Sequence, residues 1–275
     1  MSKRDFGTTK CLLHFDFPYF NEPNDGLDDD VGIETWSKEN TNVMLIGTQI
    51  PTLNHDNVAP KFGYRCTHFG GGAVIGTNTS GIWNLNSSEN YEIEFFVYPT
   101  DPTSGARYLL RLCSSGDTSV FTVAWNASGY ITVLCPDWGI SSAVTSSTAP
   151  AKSDWRHILL RISNNTLKLY IEGAEAISQA LTTDVTLSVD NVRIGYNETN
   201  GRYYFCIDEF VFRHSAGKDA PTVPTHPYSG VLDASTVGGY KGVGSVSDGT
   251  VDSASGTLNK YGLISARRAV YFCQD

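Results

Sequence analysis

Short runs of alternating apolar and polar residues recur along the chain, separated by Gly, Asn, Asp, Ser and Pro. In YEIEFFVYP, residues 91–99, every odd position is apolar, whereas Glu92 and Glu94 occupy the other face. A period of two is that of a β-strand, because successive side chains of a strand point to opposite sides. No long stretch repeats apolar residues at the i, i+3, i+4, i+7 spacing of an amphipathic helix. The pattern therefore predicts an all-β chain.

The clearest element is the stretch WRHILLRISNNTLKLYIEGAEAI, residues 155–177. It predicts a hairpin, because Asn164 and Asn165 tolerate the positive φ of a tight turn. The residues expected to face the core on its two strands are Ile158, Leu160, Ile162, Leu167, Leu169 and Ile171.

Further strands are predicted at CLLHFDF, YLLRLC, FTVAWN, YITVLC, NVRIGYN and YYFCIDEFVFRH. About nine strands with turn residues between them predict two stacked antiparallel sheets, a sandwich or jelly roll.

The composition changes near the C-terminal end and predicts four parts. Residues 1–9 form an N-terminal arm, and residues 10–215 form the sandwich. Residues 216–229 contain three spaced prolines and predict an extended linker. Residues 230–275 are rich in Gly and Ser, with too few apolar side chains for a stable fold of their own. We expect this small β module to serve attachment or oligomerisation.

Charge and apolar content exclude two classes of partner. The 275-residue chain has a formal net charge of −9 and shows no basic stripe, which argues against a nucleic-acid partner. No run approaches the roughly 18 apolar residues of a membrane span. The N-terminal MSKRDFGTTKCLLHFDF lacks the apolar core of a signal peptide, so we expect a chain made in a cytoplasm. The six cysteines are then expected to be free, mostly buried thiols.

A resemblance to a known family is carried by six segments in order: LLHFD, FGGGAVIG, YEIEFFVYP, WRHILLRISNNTLKLYIEG, VRIGYN and FCIDEFVF. They resemble strands of the LamG (laminin G-like) branch of the concanavalin A-like lectin/glucanase superfamily. YEIEFFVYP is similar to the family pattern Phe-Thr-Ile-Glu-Phe-Trp-Val, with Tyr91 and Phe96 in place of the first Phe and the Trp. The resemblance covers residues 10–214 and implies a concanavalin A-like jelly roll. It also implies that Trp155 and His157 belong to the scaffold.

The arrangement of the whole chain resembles tail-associated or surface proteins of bacteriophages. A jelly roll without a signal peptide continues through PTVPTHPY into a Gly-rich end. This resemblance implies a virion protein, with a host-surface glycan or other virion proteins as partners and a homo-oligomer as one arrangement. The first hypothesis is a non-enzymatic module that binds a host glycan or surface polymer. The alternatives are a structural decoration or collar protein attached through its C-terminal tail, and a glucanase-like glycoside hydrolase.

Carboxylate spacing argues against the enzyme. A retaining glycosidase needs two carboxyl groups about 5 Å apart, and the glucanases of the superfamily place acids on alternate positions of one strand. Glu92 and Glu94 begin such a series, but Phe96 stands where it would continue. Asp208 and Glu209 are adjacent and are expected on opposite faces of a strand. We therefore predict no catalytic residues and expect Glu92 and Glu94 on an exposed face.

Aromatic residues near loops are the candidates for ligand binding, because sugars stack their C–H faces on rings. In CPDWGISS, Pro136 and Gly139 bracket the candidate turn. The predicted ligand-binding residues are Trp138, Asp137, Trp125, Asn126, Trp83 and Tyr196.

A calcium site follows only from the resemblance, since LamG-like sandwiches often hold calcium near a sheet rim. If the first and last strands are neighbours, Asp16 can approach Asp208 or Glu209, which suits a cation that prefers oxygen ligands. The alternative is that Asp208 accepts backbone N–H groups from the loop around residues 70–72. The same adjacency would bring Cys11 near Cys206, and the middle strands would bring Cys113 near Cys135.

Overall fold

The computed structural model describes residues 9–13, 37–38, 43–47, 58, 61–62, 65–69, 75–78, 81–99, 107–151, 153–197, 205–214 and 221–225. All of them belong to one compact unit, Ser2–Gly230. The predicted module 230–275 lies outside the described residues, as do residues 1–8 of the predicted arm and all of the predicted linker except 221–225.

The described residues form fifteen strands and two short 3₁₀ turns, Ser115–Asp117 and Pro136–Trp138. The strands are β1 (Thr9–Leu13), β2 (Ser37–Lys38), β3 (Val43–Gly47), β4 (Arg65–Phe69), β5 (Ile75–Asn78), β6 (Tyr91–Pro99), β7 (Arg107–Cys113), β8 (Ser119–Trp125), β9 (Ile131–Cys135), β10 (Ile140–Thr145), β11 (Arg156–Ser163), β12 (Thr166–Ile171), β13 (Ala174–Ala180), β14 (Asn191–Asn197) and β15 (Phe205–Arg213).

These strands pair into two antiparallel sheets, which confirms the predicted sandwich. The eight-stranded sheet has the order β13-β12-β11-β6-β15-β4-β3, and β1 also pairs with β15. The seven-stranded sheet has the order β10-β9-β8-β7-β14-β5-β2. Strands distant in sequence, such as β6 and β15, lie side by side, as the long connections of a jelly roll require.

The hydrophobic core lies between the two sheets. Tyr91, Ile93, Phe95 and Val97 of β6 all belong to it, as their alternation predicts. The ring of Trp83 stacks on Phe212 with centroids 4.1 Å apart. Each such fully buried side chain contributes about 1.5–3 kcal/mol through the removal of apolar surface from water, so the alternating pattern is the main determinant of the fold.

The predicted hairpin is β11 and β12, and the structure confirms its register and its turn. Ser163 pairs with Thr166 across the two-residue loop, in which Asn164 and Asn165 have φ of 50° and 54°. Two positive φ values match the twist of the flanking strands. Strand β11 pairs with β6 on its other side, so the hairpin is part of the eight-stranded sheet and not an edge decoration.

A β-bulge in β15 changes which residues of this strand face the core. The pairing with β6 shifts between Asp208 and Val211, and Glu209 has a φ of +54°. One extra residue reverses the alternation. Ile207 and Phe210, three positions apart, therefore both face the core, while Asp208 and Val211 both face outward.

Part of the outward face of the eight-stranded sheet is also covered. Phe96 and Val211 form a small cluster there, against which Phe62, Trp155 and Val223 pack. Val223 belongs to 221–225, the described piece of the predicted linker. Gly173 approaches this piece closely, and a Cβ added to it would lie 3.1 Å from the carbonyl oxygen of Pro221.

The predicted free, buried thiols are confirmed for five of the six cysteines, and Cys273 lies outside the described residues. The expected approach of Cys11 to Cys206 is wrong. Cys11 pairs with Phe212 in register and faces the core, whereas Cys206 lies in an outward cluster with Cys66. The expected approach of Cys113 to Cys135 is also wrong, because β8 separates their strands. No helix in the described residues is long and apolar enough to span a membrane.

Candidate functional site

Glu92 and Glu94 lie on the face of the eight-stranded sheet that points away from the core, as predicted, but they are not exposed. Glu92 is 4 % exposed and Glu94 is 0 % exposed. This corrects the expectation of a solvated face. The reason is that strands β11 and β15, on either side of β6, place Arg161 and Arg213 opposite Glu92. Glu94 is reached from diagonal positions of the same two strands, by His157 and Arg213.

The two glutamates are held in one network of ion pairs. Glu94 Oε1 lies 2.7 Å from His157 Nε2, and Glu94 Oε2 accepts a hydrogen bond of 2.6 Å from Arg213 Nη1. Glu92 Oε1 accepts hydrogen bonds from Arg161 Nε and Nη2 at 2.9 and 2.7 Å, and its Oε2 is 3.5 Å from Arg213 Nη1. Buried charges are tolerated only when paired in this way. The network therefore joins three strands, and its carboxylates are occupied by the protein itself.

Asp208 is buried and bonded to backbone amides. It is 0 % exposed, and its Oδ2 accepts hydrogen bonds from the N–H groups of Lys61 at 2.9 Å and Phe62 at 3.1 Å. Backbone N–H donors are the partners expected in the alternative to calcium; the two described donors belong to residues 61 and 62, and the predicted loop around 70–72 lies outside the described residues.

Of the other two residues predicted to hold calcium, one lies in the described part of the chain. Glu209 is also fully buried, at the bulge of β15, and Asp16 lies outside the described residues. The described residues contain no group of three or more His, Cys, Asp or Glu side chains suited to a metal ion. Calcium binding stays a prediction.

The tryptophans predicted to bind a ligand are core residues, which corrects their expected exposure. Trp83 and Trp138 are 0 % exposed, and Trp125 is 3 % exposed. Asp137 and Gly139 on either side of Trp138 are exposed, but the Trp138 ring is buried and its indole N–H donates to the carbonyl oxygen of Val185 at 3.0 Å. A sandwich of this size gains more from burying large rings between its sheets than from leaving them in water.

The remaining predicted ligand residues are dispersed. Asp137 is exposed beside the buried Trp138. Asn126 is half-buried, and its Oδ1 accepts the N–H groups of Ser128 and Tyr130, so its side chain closes the turn between β8 and β9. Tyr196 lies in β14, paired in register with Tyr108 of β7. The five of these six residues whose side chains are described therefore do not form one surface.

A different group of polar residues does converge, on the outward face of the seven-stranded sheet. Arg111 of β7 pairs in register with Thr122 of β8 and Arg193 of β14, so the three side chains share a face. Their neighbours Leu110, Leu112 and Ile194 belong to the core. We call the following group the arginine patch: Tyr108, Arg111, Asp117, Ser119 and Arg193.

The arginine patch is internally ordered by hydrogen bonds. Arg111 Nε donates to Ser119 Oγ at 2.8 Å, and the Arg111 Cζ lies 5.1 Å from the centroid of the Tyr108 ring. Arg193 Nη1 forms an ion pair with Asp117 Oδ1. The side chain of Arg193 is 18 % exposed and that of Asp117 is 45 % exposed, whereas Arg111 is 6 % exposed. Arg193 is therefore the more exposed of the two arginines, and Arg111 lies beside it on the neighbouring strand β7.

The positive charge of the arginine patch affects the pKa of Asp117, its acidic member. The hydrogen bond from Arg193 lowers the pKa of Asp117, and the positive charges of Arg193 and Arg111 add to this effect. Nearby Cys113 has a raised pKa, because burial disfavours its thiolate. The patch thus favours an anion at the position of the Asp117 carboxylate.

Sequence reasoning missed this patch, although a signal was present. The strands of the seven-stranded sheet, as the structure defines them, contain no Asp or Glu. They contain four cationic residues: Lys38, Arg107, Arg111 and Arg193. In a chain with a net charge of −9 this segregation is informative, but it becomes visible only after the strands are assigned to their sheets.

Comparisons with known proteins bear on the fold. The Laminin_G_3 family model, described as concanavalin A-like lectin/glucanases superfamily, matches residues 69–216. No curated protein matches the chain in sequence.

Similar solved structures include the binding domain of Paraclostridial Mosquitocidal Protein 1, with 12 % identity, coverage of 77 % of this chain and 50 % of that one, and a TM-score of 0.57. The receptor binding domain of the botulinum neurotoxin C/D mosaic serotype has 14 % identity, coverage of 77 % and 49 %, and a TM-score of 0.57. The botulinum neurotoxin serotype G binding domain has 12 % identity, coverage of 76 % and 48 %, and a TM-score of 0.55. The chain spans about half the length of these structures, and the likeness is one of fold.

Proposed function

Because this chain belongs to the concanavalin A-like lectin/glucanases superfamily, we propose that it is a non-enzymatic binding module. In this proposal its jelly roll contacts a host glycan or another surface polymer. The superfamily joins lectins, which bind sugars, with glucanases, which cleave them. The choice between the two depends on the carboxylates of the chain.

The observation that carries the proposal is the burial of Glu92 and Glu94. A retaining glycosidase presents two carboxyl groups to the substrate, one as nucleophile and one as acid. Here both groups are occupied by Arg161, Arg213 and His157 and are almost fully excluded from solvent. A sugar cannot reach either acid without breaking buried ion pairs, so these acids support a structural role and not a catalytic one.

Two further observations support binding. The similar solved structures named above are binding domains, one of them a receptor binding domain. This supports a binding role on the same fold, while the low identity carries no ligand over to this chain. We further propose that the module acts on the surface or tail of a bacteriophage virion; the support is the sequence arrangement of a jelly roll, a spaced-proline segment and a Gly-rich end.

A glycan array on the purified full chain tests the proposal, run once with calcium and once with a chelator. We expect binding to a subset of glycans and no release of reducing ends from them. Calcium-dependent binding would support the predicted calcium site, and calcium-independent binding would support a ligand held by protein side chains alone. Release of reducing ends that is abolished by Glu94→Gln would contradict the non-enzymatic role.

A blank array in both conditions would contradict the glycan-binding role. If particles then incorporated the full chain but not a chain lacking residues 230–275, the role of a decoration or collar protein would be favoured instead.

A further inference from the structure

The two sheets differ in the charges of their strands. The eight-stranded sheet contains five acidic residues, Glu92, Glu94, Glu175, Asp208 and Glu209, together with several cations. Glu92 and Glu94 are neutralised within that sheet, as described above. The seven-stranded sheet contains cations and no acid in its described strands. Of these cations, Arg111 and Arg193 lie in register with each other on the outward face, whereas Arg107 pairs with the core residue Trp125. The outward face thus carries these two arginines beside the Asp117 carboxylate, in a chain that is acidic as a whole.

We propose that the arginine patch binds an acidic saccharide, with the sugar carboxylate on Arg193 and the sugar ring beside Tyr108. A guanidinium presents paired N–H donors that match a carboxylate, which an ammonium group does not. Arg193 is the reachable guanidinium of the patch. Arg111 is a positioning residue: it adds a second positive charge beside Arg193 and holds Ser119 and the Tyr108 ring in place.

Asp117 supplies the strongest argument for a carboxylate ligand. It lies in the turn that follows β7, has a φ of +68° and places its own carboxylate on Arg193. The protein thus already binds a carboxylate at this position. Because the pair is partly exposed, its net strength is small, and a ligand carboxylate can replace it or share the guanidinium.

The neighbouring side chains suit a sugar. Tyr108 and Ser119 are half-buried, as is Thr132 two strands away from Tyr108 in the same register row. A ring that stacks on C–H groups, together with hydroxyl groups that both donate and accept, is the usual combination in sugar sites. A simple inorganic anion would not need the ring.

The inference rests on the proposed glycan-binding function and names its ligand class. Binding is measured by calorimetry on the full chain with matched pairs of probes. One pair is 3′-sialyllactose and lactose, and the other is trigalacturonate and its methyl ester. The acidic member of at least one pair should bind at least about tenfold more tightly than its neutral partner. The two pairs distinguish a sialic acid from a uronic acid as the source of the carboxylate.

Variants of the patch locate the site. Arg193→Gln should weaken acidic-sugar binding about tenfold, and Arg193→Lys should weaken it less, because the charge remains while the fork is lost. Asp117→Asn should strengthen binding about fivefold, because a competing negative charge is removed. The matched control is Lys168→Gln, which removes an exposed cation from the eight-stranded sheet and should change nothing. Thermal melting of each variant checks that it is folded.

Three results would overturn the inference. Equal affinity for acidic and neutral probes would show that the protein does not recognise the carboxylate, while leaving the glycan-binding function intact. An equal effect of Arg193→Gln and Lys168→Gln on affinity would show that the ligand binds outside the arginine patch. No binding of any probe, together with a blank glycan array, would contradict the proposed glycan-binding function as well.

Discussion

The buried ion-pair network makes a strong prediction about stability, which the substitution Glu94→Ala tests. Glu94 is 0 % exposed and accepts from both His157 and Arg213, the latter itself only 3 % exposed on its side chain. Removing the carboxylate takes away the 2.6 Å hydrogen bond of Arg213, whose contact with Glu92 is longer, at 3.5 Å. It also leaves the His157 ring beside an unfilled, buried space.

The expected magnitude follows from the burial of these groups. Removing one partner of a buried ion pair destabilises a protein by about 3–5 kcal/mol, because the remaining charge stays desolvated. A domain is stable by only about 5–15 kcal/mol. For a domain of about 150–250 residues, each kcal/mol lowers the Tm by about 2–4 °C, so Glu94→Ala should lower it by about 6–20 °C.

The measurement is urea and thermal unfolding of the wild type, Glu94→Ala and a matched control. The control is Glu175→Ala, which removes an exposed glutamate paired with Lys168 and should have a far smaller effect. If Glu94→Ala were as stable as the control, the structural role of the network would be refuted. A gain in stability would point to a functional acid, since active-site groups are often kept at a cost to stability.

Three further predictions concern single positions. Trp138→Ala should destabilise the fold by about 3–5 kcal/mol, because a fully buried ring and its hydrogen bond are lost; urea unfolding measures this, and a stable variant with altered sugar binding would contradict its place in the core. Gly173→Ala should cost about 1–2 kcal/mol in the same assay, since its φ is +77° and the new Cβ would meet the Pro221 carbonyl; an unchanged midpoint would argue against that close approach. The pKa of Asp117 is lowered by its hydrogen bond to Arg193, so this pairing stabilises the fold above about pH 3.9 and is lost as the pH falls through the lowered value. An NMR titration should show the Asp117 midpoint rise toward about 3.9 in Arg193→Gln, and an unmoved midpoint would contradict the pairing.

Most of the fold was predictable because it depends on local signals. Alternation alone assigns Ile158 and Leu160 to the core, and the pair Asn164–Asn165 marks its turn without any knowledge of the rest of the chain. Such signals lie within a few residues of one another. They predict strands and hairpins, and a set of these with apolar inner faces has few alternatives to a sandwich.

The exposure of the acids was not predictable, because it depends on partners far away in sequence. Glu92 is bonded to a residue 69 positions away, and Glu94 to one 119 positions away. The bulge at Glu209 adds a second difficulty. One extra residue moves Val211 to the outward face, and the alternation of apolar and polar residues in CIDEFVF does not predict this bulge.

The tryptophans illustrate the same limit from the apolar side. Trp138 lies between Pro136 and Gly139, and such neighbours are typical of an exposed turn. The 3₁₀ turn at Pro136–Trp138 instead directs the ring inward, against Phe121 at 5.8 Å. Turn residues determine the path of the backbone, but the side on which a large ring lies is decided by the space between the sheets.

Net charge and local charge lead to different expectations for this protein, and local charge decides which ligands can bind at a given surface. The net charge of −9 argues against a polyanionic partner over the whole molecule. Coulomb interactions between exposed groups are screened beyond about 8–10 Å in physiological salt, so a distant acid has little influence on a ligand at Arg193. Within the arginine patch, two arginines stand against one exposed aspartate, Asp117. A small acidic saccharide samples only this neighbourhood, whereas a long polyanion samples the whole acidic chain. On this reasoning, the ligand that we propose for the arginine patch is a short acidic sugar rather than a nucleic acid.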